Sequence, residues 1–159
     1  MACCNSFPPV WRKEAEILIL GSMPGTESLR MRQYYAFRHN AFWKIMGDLF
    51  QFDNLLPYPE RLNLLRQNHV ALWDVLQACE REGSLDSNIQ NAEPNDIPWL
   101  LAQCPGLRWI YCNGSAAACH FRRFFQTLAP MMVQLPSTSP AAARLKYGQK
   151  LAAWSIIVH

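Results

Sequence analysis

Four short apolar runs punctuate the chain, and longer amphipathic stretches separate them. The runs are Glu16–Leu20, His69–Val75 (HVALWDV), Arg108–Cys112 (RWIYC) and Met131–Leu135 (MMVQL). Apolar runs of this length, bounded by turn residues, predict buried strands. Each is followed by loop or capping residues: Gly-Ser-Met-Pro-Gly from Gly21, Asp74, Asn113-Gly114-Ser115, and Pro136-Ser137-Thr138-Ser139-Pro140. Between them, Ala41–Phe50 repeats apolar residues at helical spacing (Phe42, Ile45, Met46, Leu49), as does Pro59–Arg66. Asn95–Cys104 opens on an Asn/Asp cap with a proline in its first turn, a helix-start pattern. Ser115–Leu128 follows a Gly-Ser junction, and Lys146–Ile157 is the last helical stretch. The polar, turn-rich stretch Arg81–Pro94 predicts a long surface connection.

Strands alternating with helices predict an α/β fold, a three-layer α/β/α sandwich around a central four-stranded, mainly parallel sheet. A chain of 159 residues is expected to form one domain over 1–159, with residues 1–13 as a flexible N-terminal tail. Ligands of open parallel sheets bind outside the carboxyl ends of the strands. Here those ends carry Gly21–Gly25, Asp74, Asn113 and Ser137–Ser139, so the unusual residues converge in one crevice.

Composition narrows the picture modestly. Half of the residues are apolar and 17% are charged, which argues against disorder. No apolar run approaches the roughly 20 residues that span a bilayer, and the first residues lack the pattern of a signal peptide. A cytoplasmic protein is expected. The net charge of +3 is weak evidence for an anionic partner, although Arg30, Arg32, Arg38 and His39 cluster in the opening stretch. The cysteines form no C-x-x-C pair, so zinc-ribbon and four-cysteine iron–sulfur sites find no support. Cys104, Cys112 and Cys119 read as reduced core residues, and no metal or cofactor is expected.

Several residues carry candidate chemistry. Gly21–Gly25 lets backbone approach a ligand with N–H groups free, or is an ordinary strand-to-helix turn. It is no P-loop, for G-x-x-x-x-G-K-[ST] is not matched. Asn113-Gly114-Ser115 reads as another strand-to-helix turn with its cap. Asp74 has two open roles, capping the next helix or reading a ligand N–H. Ser137, Thr138 and Ser139 offer three hydroxyls between stiffening prolines, suited to phosphate or to a rigid solvent loop. His69 and His120 read as structural, and His39 is the one histidine in the opening loop. No Ser/His/Asp set supports acyl transfer.

Taken together, "ILILGSMPG…QYYAFRHNAFWKI", "LWDVLQACEREGSLDSNI", "YCNGSAA" and "LPSTSPA" resemble the four strand-end motifs of the uracil-DNA glycosylase superfamily. The closest likeness is to its hypoxanthine-DNA (deoxyinosine) glycosylase branch, over nearly the whole chain from about Ile17. The resemblance implies a monofunctional base-excision enzyme, a monomer whose partner is DNA, with a damaged base flipped into the groove at the strand ends. Alternatives are a uracil or mismatch glycosylase of the same fold, or a catalytically silent nucleic-acid-binding module. Met23 stands where uracil-specific branches carry a catalytic Asp or Asn, and Leu135 stands where the main uracil branch has His. Its large apolar wedge is replaced by Ser139-Pro140, and Ala142 follows "SPA" where Asn is common.

The resemblance to the deoxyinosine branch implies that the Asn of "QYYA…N.FW", Asn40 here, orients water, and backbone N–H groups near Ser22 and Met23 are expected to supply electrostatic stabilisation. The expected base pocket comprises Gly21, Pro24, Gly25, Tyr34, Tyr35, Phe42, Asp74 and Asn113. Phe42 and Trp43 are open between stacking and core packing, and Asn40 between positioning water and capping the helix. Asp74 suits the N1–H of hypoxanthine by edge chemistry. Arg38, Ser137, Thr138 and Ser139 are expected on DNA phosphates, with Arg30 and Arg32 nearby.

Overall fold

The structure is a computed structural model that describes residues 2–158. Its centre is a sheet of four parallel strands: β2 (Ile17–Gly21), β3 (Val70–Asp74), β6 (Trp109–Asn113) and β7 (Met132–Leu135), in the order β3-β2-β6-β7. The remaining strands, β1 (Cys3–Asn5), β4 (Leu76–Glu80) and β5 (Gln90–Pro94), form a small antiparallel sheet ordered β1-β4-β5. The helices are α1 (Thr26–Met31), α2 (Phe42–Phe50), α3 (Tyr58–Gln67), α4 (Ile97–Gln103), α5 (Ser115–Phe124) and α6 (Tyr147–Trp154). None of the described helices is long and apolar enough to cross a membrane.

Both faces of the parallel sheet are covered, which is why its central strands read as continuous apolar runs. Side chains alternate between the faces. On one face, Ile17 and Ile19 of β2 pack with Val70, Leu72, Phe42, Ile45, Met46, Leu65 and Trp154, beneath α2, α3 and α6. On the other, Leu18 and Leu20 meet Ile97, Leu100, Ala117, Ala118 and Phe121 of α4 and α5, together with Leu76 and Cys79 of the small sheet. The three expected layers are present, and the small sheet is an addition to them.

Three expectations change. The segment 1–13, expected as a flexible tail, contributes β1, which pairs with β4, and Val10 bridges to Leu72 at the edge of β3; Met1 lies outside the described residues. The segment Arg81–Pro94, expected as a surface connection, contains a turn of 3-10 helix at Asp86–Asn88 and the strand β5. Its strand sequence, QNAEP, is polar because the small sheet is half exposed, so it carries no apolar run to detect. Cys104 and Cys112 are buried as expected, whereas Cys119 is exposed on the outer side of α5.

Candidate active site

The chain leaves β2, builds β3 on one side of it and then β6 on the other. Such a reversal of strand order opens a crevice at the carboxyl ends. Register sets Gly21 against Asp74, and Asn113 against Leu135. A cavity of about 390 Å³ opens there, within the size range of small-molecule sites. Of the expected site residues, Gly21–Gly25, Tyr34, Tyr35, Asn40, Asp74, Asn113 and Ser137–Ser139 line it, while Phe42 and Arg38 do not.

Asp74 is the unusual group. It is buried, and its Oδ2 has no hydrogen-bond partner in the protein. Burial pushes its carboxyl pKa up from 3.8 to about 7; the nearby Asp86 charge adds to the rise and Arg81 opposes it. An unpartnered buried carboxyl facing a cavity is what a ligand donor would satisfy. The same carboxyl explains Gly21. A Cβ there would lie 2.5 Å from Asp74 Oδ1 and 3.0 Å from the Tyr35 hydroxyl. Gly21→Ala is therefore expected to displace the Asp74 carboxyl, destabilise the fold by about 1–3 kcal/mol as overpacking does, and reduce activity; chemical denaturation beside a base-release assay checks both.

The loop after β2 presents backbone. The Met23 side chain turns into the core beside Leu18 and Leu20, although the residue reaches the cavity wall. Ser22 Oγ donates to Asp86 Oδ1 at 2.6 Å, so the proton of this hydroxyl is already engaged within the protein. The Pro24 carbonyl accepts from the buried Arg81 guanidinium. Gly25 has extended backbone and leads into α1. What the loop offers a ligand is its N–H groups and the close approach that small residues permit.

The aromatics divide by burial. Phe42 is fully buried, so the expected base contact from it is excluded. Its ring instead stacks beneath Tyr35, with centroids 4.0 Å apart and planes 18° apart. Tyr35 holds a left-handed backbone, φ 54°, which is uncommon for an aromatic residue. The stack and a bond from Asn113 Nδ2 to its hydroxyl (3.2 Å) hold it there. Tyr34 borders the cavity, but its hydroxyl donates to the Pro8 carbonyl at 3.0 Å and its ring meets Phe7 edge-on. Trp43 is buried, its indole N–H donating to the Tyr34 carbonyl at 2.8 Å. Of these rings Tyr35 is half-buried and lines the cavity.

Asn40 lines the cavity while its Oδ1 accepts the N–H of Phe42 at 3.0 Å, at the start of α2. That bond fixes which side of the amide bears oxygen, and an amide oxygen keeps a second lone pair. Asn113 is committed to bracing: its Nδ2 donates to Thr138 Oγ1 (2.9 Å) as well as Tyr35, and its Oδ1 accepts from Thr138 N (3.0 Å). Thr138 is buried by this pairing and is not a free phosphate ligand. Ser137 and Ser139 accept from the backbone N–H groups of Ser139 and Ala141 and keep their own hydroxyl protons to give. Arg38 is exposed outside the cavity, its Nε 3.2 Å from His39 Nε2.

The sequence missed a wall. Ser84 and Leu85 line the cavity from the segment read as a surface connection, and Phe37 lines it from the opening loop. The nearness of Ser84 and Leu85 depends on how β4 and β5 pair, and no local pattern signals that.

The family model described as the uracil DNA glycosylase superfamily matches residues 8–157. A hypoxanthine DNA glycosylase of Methanosarcina acetivorans is 39% identical over 142 residues, 88% of this chain and 89% of the relative. One of the same name from Methanosarcina barkeri is 41% identical over 111 residues, covering 69% and 70%. A solution NMR structure from Methanosarcina acetivorans, named as a candidate uracil DNA glycosylase, superposes with a TM-score of 0.86 at 35% identity, covering 99% of this chain and 97% of that one. With the strand-end cavity and the four motifs around it, this match over nearly the full length means that the chain belongs to the uracil DNA glycosylase superfamily.

Proposed function

We propose that the protein hydrolyses the N-glycosidic bond of hypoxanthine in DNA, in base excision repair, and leaves the strand uncut. The observation that carries this reading is the buried Asp74 carboxyl with its unpartnered Oδ2 in the cavity. Hypoxanthine bears a donor at N1, which an ionised carboxylate accepts. Adenine bears an acceptor there and meets repulsion. The names of the two Methanosarcina relatives support the same substrate.

Extrusion of the nucleotide costs a few kcal/mol, less for a mispaired base. Stacking against Tyr35, backed by Phe42, offsets roughly 1–3 kcal/mol of it. Asn40 orients the attacking water with the lone pair not used by Phe42 N–H. It cannot take a proton as a carboxylate does, so departure of the base relies on electrostatic help from backbone N–H groups near Ser22 and Met23. Arg38, Ser137 and Ser139 hold phosphates, and the protein acts as a cytoplasmic monomer.

Duplexes with hypoxanthine, uracil, xanthine or thymine mispairs, assayed for abasic sites, test the reading. Hypoxanthine is expected to be released fastest, with no adduct trapped by borohydride. Preferred release of uracil would overturn the substrate, and a trapped adduct would overturn the hydrolytic route. The apolar, core-facing Met23 is the specific observation against uracil.

A further inference from the structure

Among the described residues, eight large apolar side chains are exposed, and just two of them line the cavity, Phe37 and Leu85. Leu85 is 55% exposed, yet its loop is fastened on both sides to the loop after β2. Before it, Ser84 Oγ accepts from Thr26 N at 2.8 Å and lies 2.8 Å from Thr26 Oγ1. After it, Asp86 Oδ1 accepts from Ser22 Oγ at 2.6 Å. The Arg81 guanidinium spans Pro24 and Gly83 by donating to both carbonyls. A leucine held in water by anchored neighbours forgoes the gain of burial, so the fold itself gives no reason for the residue. From the loop after β7, Ser139, Pro140 and Ala141 line the cavity and offer no large apolar side chain.

Flipping a base leaves a gap in the duplex, and proteins that unstack base steps hold them open with inserted apolar side chains. We propose that Leu85 is this wedge: it enters the stack where the flipped nucleotide was, while the anchors at Ser22 and Thr26 keep it in register with the loop that holds the base. The proposal rests on the base-excision reading above. The wedge thus comes from the β4–β5 connection and not from the loop after β7.

Single-turnover release of hypoxanthine separates the possibilities when the same strand is presented as duplex and as single strand. Leu85→Ala is expected to slow duplex release about tenfold or more, to leave single-strand release unchanged, and to keep the melting temperature. Leu85→Met is expected to restore most of the duplex rate. An equal loss on both substrates would make Leu85 a pocket contact, and no loss would remove its role; either result overturns the proposal. So would a duplex-only loss in Phe37→Ala that Leu85→Ala lacks. If the unaltered protein released no base at all, the excision reading would fail by itself. Fluorescence of 2-aminopurine beside the lesion in the bound duplex would still decide the wedge: its rise on binding disappears in Leu85→Ala if the proposal holds, and persists if it does not.

Discussion

Asp74→Asn is expected to cut hypoxanthine release sharply and, above pH 7, to make the protein more stable. The two effects share one cause. The fold holds a carboxyl whose burial raises its pKa from 3.8 to about 7, so the native state favours the neutral form. The stability linked to that proton is complete below pH 4 and is lost as pH rises through about 7. A shift of this size sets an upper bound of roughly 4 kcal/mol. Asn removes the charge and keeps the shape, so melting curves of the two proteins should coincide at low pH and part as the pH climbs. Activity runs the other way. The ionised carboxylate accepts from N1–H far more strongly than the neutral acid, so kcat/KM of the natural protein should fall as pH drops through about 7. An amide at 74 both accepts and donates, which removes the repulsion of adenine. Sites that reject an analogue by a buried polar mismatch do so by up to ~10⁴–10⁵, and the hypoxanthine-to-adenine ratio should fall by a large part of that. If Asp74→Asn kept its base preference and melted lower, the carboxyl would be a structural group.

Asn40→Ala is expected to lower single-turnover release about 10²-fold or more, the scale of losing a positioned reactant, with DNA affinity nearly intact. Its Oδ1 also accepts from Phe42 N, so alanine should destabilise the fold by roughly 0.5–2 kcal/mol. Asn40→Ser separates the two duties. A serine hydroxyl can accept the same N–H but is too short to present an amide to the water. Stability near that of the natural protein with release as low as in the alanine variant is the expected pattern, read per folded molecule. Release that tracked folded fraction in both variants would leave Asn40 as a cap and move the work to the backbone at Met23.

The parallel sheet was legible because its strands are buried on both faces and therefore spell continuous apolar runs; the residues at their carboxyl ends followed from topology alone. Gly21, Asp74 and Asn113 were found in this way. The small sheet was hidden, since LQACE becomes a strand by pairing with the distant Cys3–Asn5, and QNAEP, which has no fully buried residue, by pairing with LQACE. With it went the nearness of Ser84 and Leu85 to the cavity. Phe42 stays open in the sequence for a related reason. Its spacing fits the inner face of α2 as well as it fits a cavity wall, and its full burial beneath Tyr35 decides between them. Thr138 looked like a phosphate hydroxyl until Asn113, distant in sequence, was seen to occupy it.

The order of the strands also bears on how the molecule is made. β2 is synthesised first among the four yet stands inside the sheet, and β7, the last, closes an edge. Thr138, which completes the hydrogen bonding of Asn113, lies beyond β7. Chains emerge from the ribosome N-terminal end first, and pairings between distant segments form late. A nascent chain halted before Pro136 holds Asp74 and the loop after β2 but not the wall that braces Asn113 and, through it, Tyr35. The brace on Asn113 and Tyr35 is thus withheld until the segment after β7 has been made.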